Sequence, residues 1–125
     1  MWPEKIEMVR YLLDKGMDPN IVGEIGASPL YYAVEQDAMP IVRELLNRGA
    51  DPDLALRLPE EDNEVITTPL MKAAVLGNLE ALQLLLDHGA RIDILDERGR
   101  NALYYAERQE HEQAAAILRS AAGIP

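Results

Sequence analysis

One seven-residue pattern occurs three times in this chain, and its spacing limits the fold more than any other feature. The copies are Leu12-Leu13-Asp14-Lys15-Gly16-Met17-Asp18, Leu45-Leu46-Asn47-Arg48-Gly49-Ala50-Asp51 and Leu85-Leu86-Asp87-His88-Gly89-Ala90-Arg91. Their glycines stand 33 and then 40 residues apart. A second pattern opens each unit: Ser28-Pro29-Leu30-Tyr31-Tyr32-Ala33, Thr68-Pro69-Leu70-Met71-Lys72-Ala73 and Asn101-Ala102-Leu103-Tyr104-Tyr105-Ala106, with starts 40 and then 33 apart. The two series agree on a period of 33 with a single insertion of seven residues between Asp53 and Thr67. A repeat of that length marks a solenoid, in which each unit buries its apolar face against its neighbours.

Each unit reads as two short helices. Ser28, Thr68 and Asn101 are residue types whose side chains accept from the free N–H groups of a helix start, and Pro29 and Pro69 follow where a missing N–H costs nothing. The second helix carries apolar residues at helical spacing: Ile41, Val42, Leu45 and Leu46, then Leu79, Leu82, Leu85 and Leu86. Gly16, Gly49 and Gly89 end these helices where a left-handed residue is wanted. Pro40 falls near a helix start and does not interrupt the pattern. The segments 18–27 and 91–100 are polar connectors.

Thr68-Pro69-Leu70 followed by Ala73, Gly77 and Leu85-Leu86-Asp87-His88-Gly89-Ala90, with this period, resembles the ankyrin repeat family. The resemblance spans nearly the whole chain. It implies an all-α solenoid of antiparallel helix pairs with projecting β-hairpin loops, and a concave binding face formed by those loops and the first helix of each pair. It divides the chain, as a single domain 1–125, into a half-repeat over 1–20 and repeats near 21–53, 54–93 and 94–125. The second of these repeats carries the acidic insertion 55–66, and the last is the C-terminal cap.

Several positions depart from the family pattern. The histidine that usually follows Thr-Pro-Leu is replaced by Tyr31, Met71 and Tyr104, which suggests bulkier packing. The mid-repeat glycine is kept as Gly77 but becomes Asp37 and Glu110 in the neighbouring units. The last helix, expected over 112–122, looks like the cap in which the outer face must be less apolar. At the N-terminus only residues 5–15 match, as a second helix without a first. Three coverings of that edge are open: the half-unit itself with Trp2 folded back, a preceding segment of a longer protein, or a second copy in a homo-oligomer.

The chain offers little material for catalysis. It has no cysteine and only two histidines, His88 and His111, so zinc sites and nucleophilic dyads are poorly supplied. His88 stands at a helix C-terminus, where a cation is favoured. His111-Glu112 lacks a histidine four residues on, where Ala115 stands. Gly23-Glu24-Ile25-Gly26 is too short for a phosphate loop and sets an acid where phosphate would lie. No enzyme activity, metal or cofactor is expected.

Charge narrows the partner. With 12 Lys/Arg against 22 Asp/Glu, the net charge is −10, a field that repels nucleic acid and anionic membrane and attracts a basic protein surface. No basic, apolar leader opens the chain and no apolar run approaches a bilayer span, so a cytoplasmic location is expected. The acidic run Glu60, Glu61, Asp62 and Glu64 lacks the alternation of a calcium loop and lies in the insertion, which the resemblance sets beside the concave face. Matching the family's surface-facing positions adds Val22, Glu24, Ile25 and Ala27, then Leu95, Glu97, Arg98 and Arg100 on the connectors. The first helices add Tyr32, Glu35 and Gln36, then Lys72, Val75 and Leu76, then Tyr105, Arg108 and Gln109. Tyr32 and Tyr105 could equally pack between units. The expectation is a protein-binding module that inhibits or neutralises a basic partner. The alternative is a structural or regulatory segment of a larger protein that packs against another domain.

Overall fold

A computed structural model of the chain describes residues 2–22, 27–60 and 63–123. They form α1 (Trp2–Asp14), α2 (Pro29–Glu35), α3 (Met39–Asn47), β1 (Leu56–Glu60), β2 (Asn63–Thr67), α4 (Pro69–Leu76), α5 (Leu79–Asp87), α6 (Ala102–Arg108) and α7 (Glu112–Ala122). The helices stack in two rows. In the outer row α1 packs on α3, α3 on α5 and α5 on α7; in the inner row α2 packs on α4 and α4 on α6. Each inner helix also packs on the outer helix that follows it. The core runs through the stack as one cluster that includes Leu30, Val42, Leu45, Leu70, Met71, Leu82, Leu85 and Leu118.

Local chemistry sets the helix ends. The Ser28 hydroxyl accepts from the Tyr31 N–H at 3.2 Å, Thr68 from Met71 at 3.1 Å and Asn101 from Tyr104 at 3.0 Å. Asn78 caps α5 in the same way, through the Ala81 N–H at 3.0 Å. Gly49 and Gly89 have φ of +90° and +89°, so the chain reverses there and the Ala50 and Ala90 N–H groups each reach the Leu45 and Leu85 carbonyls at 2.9 Å. His88 donates through Nδ1 to the Leu84 carbonyl at 2.8 Å.

Asp37 and Glu110 keep the left-handed backbone of the glycine they replace, at φ +57° and +60° against +68° for Gly77. The turn geometry belongs to the repeat and outlasts the residue suited to it. Asp37 also holds the next unit, since its carboxylate accepts from the Asn78 side-chain amide at 2.8 Å. One unit on, His111 Nε2 donates to the Val75 carbonyl at 3.0 Å.

The connectors interlock rather than merely turn. Asn20 Oδ1 accepts from the Asp51 N–H at 2.6 Å, and Asp53 Oδ1, at the equivalent place, accepts from the Arg91 N–H at 2.8 Å. The inserted segment is a regular antiparallel hairpin in which Leu56 faces Thr67 and Glu60 faces Asn63. It leads straight into the Thr68 cap at the start of α4, the middle helix of the inner row.

The expectation that Trp2 folds over the N-terminal edge concerns a side chain outside the described ones. Ala27, expected on the surface, is 4% exposed, directly before the Ser28 cap of α2.

Candidate protein-binding site

Each inner helix carries one exposed stripe at positions i, i+3 and i+4, the spacing that puts three side chains on one face. On α2 the stripe is Tyr32 and Glu35 with the C-cap residue Gln36; on α4 it is Lys72, Val75 and Leu76; on α6 it is Tyr105 and Arg108 with the C-cap residue Gln109. Glu35, Gln36, Leu76, Arg108 and Gln109 are exposed, and Tyr32, Lys72, Val75 and Tyr105 are half-buried. Because the three helices pack side by side, the stripes lie next to one another. Leu76, 44% exposed, puts an apolar side chain in the middle of the row.

The hairpin joins this row at α4, its middle helix. Its register sets Glu64 opposite Pro59 and Glu60 opposite Asn63, so Glu60 and Glu64 stand toward its turn end. Glu61 and Asp62 lie outside the described residues, as do Glu24 and Ile25 of the first connector. In the last connector Glu97 is half-buried and Arg98 exposed, within a turn closed by the Gly99 N–H on the Asp96 carbonyl at 3.0 Å.

That turn is organised by a residue the sequence does not single out. Asp96 is 6% exposed. Its carboxylate accepts from the Arg98 and Arg100 N–H groups, each at 2.9 Å, from Arg100 Nε at 3.2 Å and from the Tyr105 hydroxyl. Burial pushes the Asp96 carboxyl up, but the Tyr105 hydroxyl, the two amides and the guanidinium outweigh it and hold its pKa below the ordinary aspartate value. Burial and the bond to Asp96 push the Tyr105 hydroxyl up to about 12. The Arg100 guanidinium lies over both Tyr104 and Tyr105, 5.2 and 5.1 Å from the ring centres. Arg100, expected to face a partner, is therefore turned into the chain, because a buried carboxylate demands a cation. Tyr105 joins the same cluster by its hydroxyl. The only sequence signal for it is an acid, a glycine and an arginine at fixed offsets before the Asn101 cap.

The described residues hold no group of three or more His, Asp or Glu side chains able to bind a metal ion. Nor do they leave a buried side-chain N or O atom without a hydrogen bond. No described helix is long and apolar enough to cross a membrane. What the inner row presents is a broad face of mixed apolar, aromatic and charged side chains, the composition of a contact surface.

Known proteins share this architecture. The family model for ankyrin repeats, in three copies, matches residues 4–55 and 54–124. The chain is 36% identical to cyclin-dependent kinase 4 inhibitor B of Rattus norvegicus, over 95% of this chain and 86% of that protein. It is 35% identical to human cyclin-dependent kinase inhibitor 2A, over 95% of this chain and 72% of that protein. It is also 31% identical to neurogenic locus notch homolog protein 1 of Xenopus tropicalis, over 91% of this chain but 4% of that protein. The period, the paired helices and these matches agree: the chain belongs to the ankyrin repeat family.

Proposed function

We infer that this chain is a protein-binding module that grips a partner on the face built by α2, α4, α6 and the β1–β2 hairpin, and inhibits it. The observation that carries this reading is the repetition of one exposed stripe on three packed helices, with Tyr32, Val75 and Leu76 amid charge. Aromatic and apolar residues inside a polar surround are what interface centres are made of. The similarity to two proteins named as cyclin-dependent kinase inhibitors supports inhibition as the mode and a protein kinase as the class of partner. A cytoplasmic location goes with that reading.

Charge supports a basic patch on the partner. The inner face itself is mixed, with Glu35 and Glu97 beside Lys72, Arg98 and Arg108. The acid is concentrated in the insertion, at Glu60, Glu61, Asp62 and Glu64. An acidic hairpin at the rim of a contact face accelerates encounter more than it strengthens the final complex.

The test uses purified cyclin-dependent kinase 4 with its cyclin. The chain should inhibit phosphorylation of a peptide substrate, and Leu76→Arg should weaken inhibition at least about tenfold, the effect of a charge in an interface centre. Changing Glu60, Glu61, Asp62 and Glu64 all to Gln should slow association severalfold at ~50 mM salt and hardly at all at ~500 mM. Absence of inhibition removes the kinase class. Equal association rates at both salt concentrations remove the electrostatic part.

A second reading rests on the similarity to the notch homolog, in which a matching stretch forms 4% of a much longer protein. By that reading the repeats pack against another domain of the same polypeptide. The genomic sequence upstream separates the two. An in-frame helix pattern before Met1 supports the segment, and a ribosome-binding signal directly before Met1 supports the free module.

A further inference from the structure

The N-terminal edge exposes positions that are core everywhere else in the stack. By the repeat, Met8 corresponds to Ile41, Ala81 and Ala114, and Leu12 to Leu45, Leu85 and Leu118. Ile41 is 8% exposed and the other five are 0%, whereas Met8 is 58% and Leu12 37% exposed. The reason lies in the rows. Every other outer helix has an inner helix of its own unit packed on it; among the described residues α1 has none. The place stands open as a groove of about 190 Å³ with an almost wholly apolar lining that includes Val9, Met17, Tyr32, Ala33 and Ile41.

The surrounding surface is apolar as well. Of the eight large hydrophobic side chains exposed among the described residues, five lie between Met8 and Val22: Met8, Tyr11, Leu12, Ile21 and Val22. The other end of the stack differs. Outward positions of α7 are Glu112, Gln113, Ala116, Ser120 and Ala121, all exposed and none a large hydrophobe. Head-to-tail stacking of copies would set Met8 and Leu12 against those polar and small residues. An edge-to-edge pair about a two-fold axis sets apolar surface on apolar surface and closes after two copies.

The charges on α1 suit such a pair. Glu7 and Lys15 are both exposed and lie one turn to either side of Tyr11. Antiparallel packing of two α1 helices about Tyr11 therefore sets Glu7 of each copy against Lys15 of the other. We propose that a second copy of this chain covers the edge. The two α1 helices pair antiparallel through Met8, Tyr11 and Leu12, each lying in the other's groove between α1 and α2. A 13-residue helix is about 20 Å long, so two such faces with their grooves bury on the order of 1,000 Å², the low end for a specific interface.

Light scattering and sedimentation of the whole chain from about 1 to 500 μM test this. The mass should rise from monomer to dimer and stop there. Tyr11→Glu, at a residue already 57% exposed, should keep the helical content and remain monomeric at the highest concentration. Ala116→Glu at the other edge should dimerise as the parent does. A parent chain that stays monomeric throughout overturns the proposal. So does a monomer that takes up a synthetic peptide of residues 68–78, since the groove then belongs to an inner helix from elsewhere. A dimer that survives Tyr11→Glu, or is lost with Ala116→Glu, overturns it too.

Discussion

The two ends of this stack carry the same helix position and treat it in opposite ways. At the C-terminal end Leu118 is fully buried, because α6 and α7 make a complete pair. At the N-terminal end Leu12 is 37% exposed, although it is the same amino acid at the same place in the repeat. Residue type does not separate them; their neighbours do. In a solenoid each unit is stabilised largely by the one beside it, so an incomplete unit leaves core residues on the surface. The C-terminal edge meets that condition with alanines and polar residues, and the N-terminal edge does not.

The sharpest way to break the comparison is to truncate equivalent leucines and follow unfolding in urea. Leu45→Ala and Leu118→Ala, at sites with no exposure, should each cost about 2–5 kcal/mol. Leu12→Ala in the monomer should cost less than about 1 kcal/mol, because part of its surface is already in water. Equal losses at Leu12 and Leu118 would falsify the view that the first unit is incomplete.

A smaller effect tests how firmly the last unit is held. Asp96→Asn removes the charge that Arg100 and Tyr105 share, and should cost about 1–3 kcal/mol near neutral pH. The pH dependence has a definite sign. The folded pKa of Asp96 lies below its unfolded value, so its contribution is full above the unfolded value near ~4. It is lost as pH falls from there through the lower folded value. The parent should therefore lose stability in acid more steeply than Asp96→Asn. Parallel acid profiles for the two proteins would assign the cluster no role in holding the last connector.

The smallest effects come from the turns between paired helices. Gly77→Ala would set a Cβ 2.7 Å from the His111 ring at φ +68°, and should cost about 1–2 kcal/mol. Glu110→Gly, in the last unit, relieves the same backbone strain and should gain up to about 1 kcal/mol. Asp37→Gly should gain less, since it also loses the bond to Asn78. Thermal melts of the three variants give the order directly.

Much of the fold was legible because its signals are local. A cap acts across three residues, and Ser28, Thr68 and Asn101 all cap as their types suggest. The last helix runs Glu112–Ala122, as its pattern indicates, and α1 starts at Trp2, a little before the matched residues. The residues of the stripe on each inner helix were named by matching them to the ankyrin repeat, position by position. Less legible were the residues whose partners are fixed only when the connectors close. Arg100 and Ala27 sit on surface-type positions of the repeat, yet one is drawn to Asp96 and the other is only 4% exposed.

The sequence by itself determined the period, the two-helix unit, the helix ends and the place of the acidic insertion. Each of these rests on hydrogen bonds or side-chain spacing within a few residues, or on counting along the chain. Tertiary structure decided which repeat-equivalent residues are core and which are surface, because burial depends on helices a full repeat away. It thereby turned the half-unit seen at the start of the sequence into an exposed apolar groove.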